Sequence, residues 1–275
     1  MYMLFIKSDL WRIYMLKKIL TTALCISLLA CSMTACGKEV ELKDDSSGSQ
    51  SSSADLQAGE YANFTAPEKG EQIIIMTVKD MGDIKIKLFP DLAPTGVKNF
   101  VELAKQGYYD ELIFHRVINN FMIQGGDPKG NGTGGNPADG ITFEAGDASP
   151  YLTHVSGAVA YANSGSTATN GSQFYIVTGE KYDDNTLSQM EQAYGTSYSD
   201  SFKELYKTIG GAPWLDGSYT IFGQVFDGLD VVYKIQEVST DANDKPYDSV
   251  VIESVKVAEY DGGELKWYIS DYAEQ

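Results

Sequence analysis

Apolar and polar positions divide the chain into stretches of different character. Met15-Leu16-Lys17-Lys18 is a short basic segment, and residues 19–33 are mostly apolar with small polar interruptions. Residues from Lys38 to about Gly70 are rich in Ser, Gly, Asp and Glu and show no apolar period, which predicts a flexible tether. From Glu71 the pattern changes to short periodic runs. Ile73-Ile74-Ile75-Met76 with Val78 reads as a buried strand, and residues 83–88 alternate strictly, as a half-exposed strand does. Met81-Gly82-Asp83 between them is a hairpin signal. Pro94 suits a first helical turn; Val97, Phe100, Val101 and Ala104 follow at helical spacing, and Gly107 stops the run. Residues 111–118, 121–124, 156–162, 173–178, 219–225 and 250–257 read as further strands, and Leu229, Val232 and Tyr233 as a second helix. Many short strands with two helices predict a closed β-barrel capped at its ends. Residues 181–211 break that pattern. Leu187, Met190 and Tyr194 share one helical face, and Phe202, Leu205, Tyr206 and Ile209 another. Ser188 with Glu191, and Ser201 with Glu204, have capping-box spacing, so a helical hairpin inserted between two strands is expected.

Composition narrows the chemistry. The 275 residues fit one large domain or two small ones, and 43% are hydrophobic, enough for a substantial core. The formal net charge of -17 repels phosphate backbones, which argues against a nucleic-acid partner and for solubility. The three cysteines, Cys25, Cys31 and Cys36, all lie near the N-terminus, so nothing after residue 36 supplies a disulfide or a thiolate ligand. With only His115 and His154 besides, no zinc site of ordinary composition is expected. No Gly-x-Ser-x-Gly nucleophile elbow is present. Residues 130–135 fit G-x-G-x-x-G, yet Asn136-Pro137 follows where a helix should open, so the reading is a loop needing positive φ rather than a nucleotide site.

The basic and then apolar start has the form of a secretory signal, with an apolar run shorter than the about 20 residues that span a bilayer. It ends Met33-Thr34-Ala35-Cys36-Gly37, which resembles a bacterial lipobox, where the cysteine is lipidated and becomes the mature N-terminus. Leu28-Leu29-Ala30-Cys31 is a competing site, and Met15 a competing start. The expected organisation is a leader over 1–36 with Cys36 as lipidation site, a tether over 37–70, a folded domain over 71–260 and a tail over 261–275. A tether of this length reaches about 30 Å on average. It would hold the domain just off the outer face of a bacterial cell membrane.

Four ordered segments carry a family resemblance. They are Phe114-His115-Arg116-Val117-Ile118 with Phe121-Met122-Ile123-Gln124-Gly125-Gly126-Asp127; Asn131-Gly132-Thr133-Gly134-Gly135; Ala162-Asn163 with Asn170-Gly171-Ser172-Gln173-Phe174-Tyr175-Ile176; and Trp214-Leu215-Asp216-Gly217 with Phe222-Gly223-Gln224-Val225. In these, residues 71–259 resemble the cyclophilins, the peptidyl-prolyl isomerase family. The resemblance implies an eight-stranded antiparallel barrel with two capping helices, no cofactor, and proline-containing polypeptide segments as substrate. A monomer is expected. By matching position, Arg116 resembles the family's catalytic arginine, with Gln124 beside it. Phe121, Met122, Ala162, Asn163, Gln173, Tyr175, Trp214 and Leu215 resemble its peptide-binding residues. Tyr219 stands where many members have histidine, and Tyr175 where phenylalanine is usual on the floor of the proline pocket; both keep aromatic surface. The 181–211 insertion is absent from the minimal fold.

These residue types suit the reaction. Resonance makes the peptide bond resist rotation by about 18–20 kcal/mol, and X-Pro bonds exchange over about 10–100 s. Rotation breaks conjugation and leaves a lone pair on the prolyl nitrogen. A fixed cationic donor near that nitrogen stabilises the twisted form over either planar form, and such differential binding lowers the barrier. Arg116 stays protonated and presents a rigid donor fork. Gln124 is expected to orient the guanidinium, and Phe121, Met122 and Tyr175 to grip the ring and exclude water. The signal, tether and site together predict a foldase for exported chains. The alternative is a binding module that grips proline segments without turnover, and a third is a surface adhesin.

Overall fold

The computed structural model describes residues 61–141, 149–163 and 169–263. The expected leader with Cys36, the tether as far as residue 60 and the tail beyond residue 263 lie outside them.

Eight strands form one antiparallel sheet: β1 (Gln72–Val78), β2 (Gly82–Leu88), β3 (Arg116–Ile118), β4 (Met122–Gly125), β5 (Ala158–Tyr161), β6 (Phe174–Val177), β7 (Ile221–Asp227) and β8 (Ile252–Glu259). Their order is β3-β4-β6-β5-β7-β2-β1-β8. The sheet is an open half-barrel, not the closed ladder expected from sequence, because β3 and β8 are its two ends. The predicted strand over 111–118 is regular only from Arg116 onward. Its first half instead meets the start of β8 in a lone bridge, Ile113 to Val251. Around that bridge Glu111 N donates to Ile252 O at 2.8 Å, Ile252 N to Leu112 O at 2.7 Å and Phe114 N to Val250 O at 3.0 Å.

Strand alternation sorts the central strands into two faces. Ile123, Val159, Tyr161, Phe174 and Ile176 enter the main core, where Phe100 stacks on Tyr109 at 4.7 Å and meets Phe222 at 4.9 Å. Met122, Ala158, Ala160, Tyr175 and Val177 pack together in a second cluster. Helix α1 (Pro94–Lys105) buries Val97, Phe100, Val101 and Ala104 in the main core, the predicted face, and Gly107 ends it at φ +66°. Two helices, α2 (Asp184–Tyr194) and α3 (Asp200–Thr208), occupy the insertion, and α4 (Leu229–Gln236) follows β7. The insertion's helices start earlier than the capping-box spacing suggests. Asp183 accepts from Thr186 N and Ser199 from Phe202 N, while Glu191 receives Tyr198 N and pairs with Lys203 at 3.0 Å. Any carboxylate or hydroxyl one turn ahead serves as a cap, so spacing alone left the start open.

Order also begins before the predicted tether ends. Residues 61–66 lie on the domain: the Asn63 amide, fully buried, donates to Thr153 O at 3.0 Å and Gln224 Oε1 at 2.8 Å and accepts from Thr153 N at 2.9 Å. Polar composition predicts tether, but here the polar side chain satisfies groups deep in the domain.

Candidate functional site

The sheet register assembles the site. Arg116 on β3 is opposite Gln124 on β4, Gln124 is opposite Tyr175 on β6, and Tyr175 is opposite Ala160 on β5. Directly opposed residues project from the same face. One row across four strands therefore carries the arginine, the glutamine and the tyrosine side by side. In the adjacent row Ile118 faces Met122, and Met122 faces Val177. Phe121, Ala162, Trp214, Leu215 and Tyr219 pack onto this face, half-buried. The Phe121 and Trp214 rings lie 5.6 Å apart, and Tyr219 stands edge-on to Tyr175 at 5.9 Å. Seven of the residues singled out from sequence thus form one apolar wall and floor.

The polar candidates gather beside it. Gln124, Ala162, Asn163 and Gln173 line a cavity of about 250 Å³ with Gly132, Thr133, Gly134, Gly135, Thr169 and Gly171. Gln173 Nε2 donates to Gly134 O at 2.6 Å and Gly132 O at 3.2 Å. Carbonyls only accept, which turns Gln173 Oε1 toward Gln124 Nε2, at 2.9 Å. Gln124 Oε1 is left as the acceptor of the pair. The cavity-lining loop is built on Asp127, which receives the N–H groups of Lys129 at 2.8 Å, Asn131 at 3.0 Å and Gly132 at 2.6 Å. Burial raises the Asp127 carboxyl's proton affinity, but these backbone donors and that of Gly134 outweigh it and hold its pKa below the usual value. Glycine is required at Gly126, where φ is +82° and a Cβ would stand 2.4 Å from Ser172 O.

Arg116 is held differently from the sequence expectation. Its Nε and Nη2 both lie 3.3 Å from Asp244 Oδ2, on the turn before β8, and both side chains are about two-fifths exposed. Asp244, at φ +64°, also receives Val117 N on its carbonyl at 2.8 Å. The carboxylate, not Gln124, meets the guanidinium. No spacing signal marks Asp244, because it lies 128 residues away in the chain. Tyr175 turns its hydroxyl away from the row, to His154 Nε2 at 2.9 Å. The floor thus stays apolar although phenylalanine has become tyrosine. Burial pushes the Tyr175 hydroxyl well above its usual pKa, with Tyr219 and Asp216 adding to it, so it remains a donor. His115, beside Arg116, is buried with neither ring nitrogen hydrogen-bonded among the described residues, and burial lowers its pKa. Among the described residues no three His, Cys, Asp or Glu side chains gather as around a metal ion.

Comparison with known proteins gives one answer. Residues 73–257 match the family described as cyclophilin type peptidyl-prolyl cis-trans isomerase/CLD. A Staphylococcus epidermidis protein that carries the provisional name peptidyl-prolyl cis-trans isomerase is 41% identical over 199 residues, 72% of this chain and 98% of that one. A Staphylococcus aureus protein of the same provisional name is 44% identical over 192 residues, 70% of this chain and 94% of that one. Among solved structures, a Cryptosporidium parvum cyclophilin-type isomerase, crystallised in the presence of the dipeptide Ala-Pro, aligns with a TM-score of 0.54 and 29% identity over 68% of this chain and 99% of that one. With the sheet order, the arginine row and this match over most of its folded part, the chain belongs to the cyclophilin-type peptidyl-prolyl cis-trans isomerases.

Proposed function

We propose that this isomerase binds X-Pro segments across the Arg116–Gln124–Tyr175 row and acts on exported polypeptides at a membrane surface. The register that sets those three side chains on one face, with Phe121, Met122, Trp214, Leu215 and Tyr219 around them, carries the reading of the site. The proline ring lies on Met122 and Tyr175 between Phe121 and the Leu215–Tyr219 wall. Arg116 directs its remaining N–H groups at the prolyl nitrogen, where a lone pair develops as the bond twists. Asp244 holds the other edge of the guanidinium, so little reorganisation accompanies rotation. Gln124 Oε1 accepts a peptide N–H, and the residues before proline extend toward Ala162, Asn163 and Gln173. Exchange in about 1 ms requires four to five decades over the free peptide, or roughly 5.5–7 kcal/mol. A preorganised donor contributes about 2.7–4 kcal/mol of such a sum, and gripping the ring on an apolar floor that excludes water adds to it. The reaction needs no nucleophile and moves no proton.

Refolding of a protein limited by proline isomerisation tests this. The wild type accelerates it and Arg116→Ala removes most of the acceleration; no acceleration by the wild type rules the catalytic reading out. A peptide that binds but shows no added cis–trans exchange by NMR would leave only the binding-module alternative. The exported location is supported by the leader and lipobox in the sequence. Labelling of cells with a fatty-acid analogue tests it: label that persists in Cys36→Ala and disappears in Cys31→Ala moves the anchor to Cys31, and label absent from the wild type removes it.

A further inference from the structure

The inserted hairpin lies outside the groove's own strands but reaches beneath its floor. Tyr206, on α3, is fully buried, and its hydroxyl donates to Asp216 Oδ2 at 2.6 Å. Thr153 Oγ1 lies 2.8 Å from the same oxygen and 2.6 Å from Tyr206 Oη. Two hydroxyl protons therefore serve a triangle of three oxygens, and both hydroxyls are committed to it. The other carboxylate oxygen, Asp216 Oδ1, accepts the His154 backbone N–H at 2.7 Å and lies 2.7 Å from His154 Nδ1. A carboxylate only accepts, so Nδ1 carries a proton, and Nε2 on the far side of the ring meets the Tyr175 hydroxyl at 2.9 Å. His154 is fully buried and Tyr175 nearly so.

The path Tyr206–Asp216–His154–Tyr175 joins two features that depart from the minimal fold: the insertion and the tyrosine in the floor. A phenylalanine at 175 would need no partner, whereas a buried tyrosine hydroxyl does. His154 meets that need, and Asp216, on Nδ1 and on the backbone N–H, fixes how the ring is turned toward it. Asp216, mostly buried, keeps its orientation through the hydroxyls on one oxygen and the His154 donors on the other. It also directly follows Trp214-Leu215 in the groove wall.

We propose that Tyr206 is a positioning residue for the peptide groove, holding the Tyr175 ring in place through Asp216 and His154. The inference rests on reading this groove as the peptide site. The inserted hairpin is on this account a buttress of the groove floor. Loss of the Tyr206 hydroxyl takes one of the two donors from Asp216 Oδ2, loosens the carboxylate and, through it, the His154 ring and the seat of the Tyr175 ring. Binding of the proline segment weakens, while the Arg116 end of the site, on β3, is untouched.

The test is NMR titration and exchange spectroscopy with a short Ala-Pro peptide on the wild type, Tyr206→Phe and Tyr182→Phe. Tyr182→Phe removes a hydroxyl bond to Gly211 O, at 3.0 Å, in the same insertion but without a link to Asp216. In Tyr206→Phe the peptide Kd rises about three- to tenfold, the size of one hydrogen bond's net contribution, and the exchange rate at saturation stays within about twofold. The His154 ring-nitrogen shifts move in Tyr206→Phe and not in Tyr182→Phe. Unchanged Kd and unchanged His154 shifts in Tyr206→Phe overturn the proposal, as does an equal rise of Kd in Tyr182→Phe. If in that case Arg116→Ala still abolishes exchange, the isomerase reading stands and only the wiring fails. A wild type that neither binds nor exchanges the peptide overturns both.

Discussion

Replacing Asn63 by alanine tests whether the chain ahead of the first strand is part of the folded unit. Its side-chain amide is fully buried and makes three hydrogen bonds: to Thr153 O at 3.0 Å, to Gln224 Oε1 at 2.8 Å and from Thr153 N at 2.9 Å. Thr153 and Gln224 are themselves buried to within 1%. Alanine removes the donors and the acceptor together and takes a hydrogen-bond partner from three buried polar groups. Each such group costs about 1–3 kcal/mol, and partial relaxation or an entering water lowers the sum. The expected loss is about 3–4 kcal/mol, or roughly 6–15 °C in Tm for a domain of this size. Urea unfolding of wild type and variant, followed by far-UV circular dichroism, measures it, with the midpoint falling and the slope unchanged. A chain starting at residue 67 loses at least as much, because it also removes Thr65 Oγ1 and Ala66 O from the Lys87 ammonium, at 3.1 and 2.9 Å. A change below about 0.5 kcal/mol in the alanine variant would refute the reasoning, since a surface substitution does no more.

Further outcomes follow from the site. Asp244→Asn keeps a residue that tolerates positive φ and removes only the charge. It lowers kcat/KM in the peptide exchange assay about two- to fivefold and leaves stability within about 0.5 kcal/mol, because an ion pair this exposed contributes little to folding. Tyr175→Phe restores the family's usual floor. It leaves turnover within about threefold but destabilises by about 1–2 kcal/mol, because His154 Nε2 loses its buried partner; unchanged stability would refute that bond. For His115, burial lowers the folded pKa below the usual 6.5, so the unfolded chain binds protons that the folded one refuses. This contribution is absent above pH 6.5 and costs stability as pH falls from there toward the lowered folded value. Against the wild type, His115→Gln removes that part of the slope in pH-dependent unfolding, and identical slopes would refute it. Asp127→Ala strips the acceptor of four loop N–H groups and raises the peptide KM in the exchange assay. An unchanged KM would separate the loop from binding.

Local pattern determined much of this protein. Alternation at residues 83–88 and helical spacing from Val97 to Ala104 are enforced by backbone geometry, so strand and helix appear where the residues place them. The order Arg116, Phe121, Met122, Gln124 is short enough for one hairpin to set their faces, and the later segments supplied Tyr175 and Trp214 as the opposing surface. The tertiary structure alone decided which groups each of these side chains meets. Asp244 reaches Arg116 across 128 residues, Asn63 reaches Gln224 across 161, and Asp216 reaches His154 across 62. Such contacts follow from chain closure and leave no period in the sequence. Cap choice in the insertion and the open edges of the sheet belong to the same class. Several nearby residues satisfy the same local rule, and packing selects one. The sequence therefore names the residues of the groove, and the fold assigns their partners, because burial lets each polar group be satisfied by whichever donor or acceptor the closed chain brings within about 3 Å.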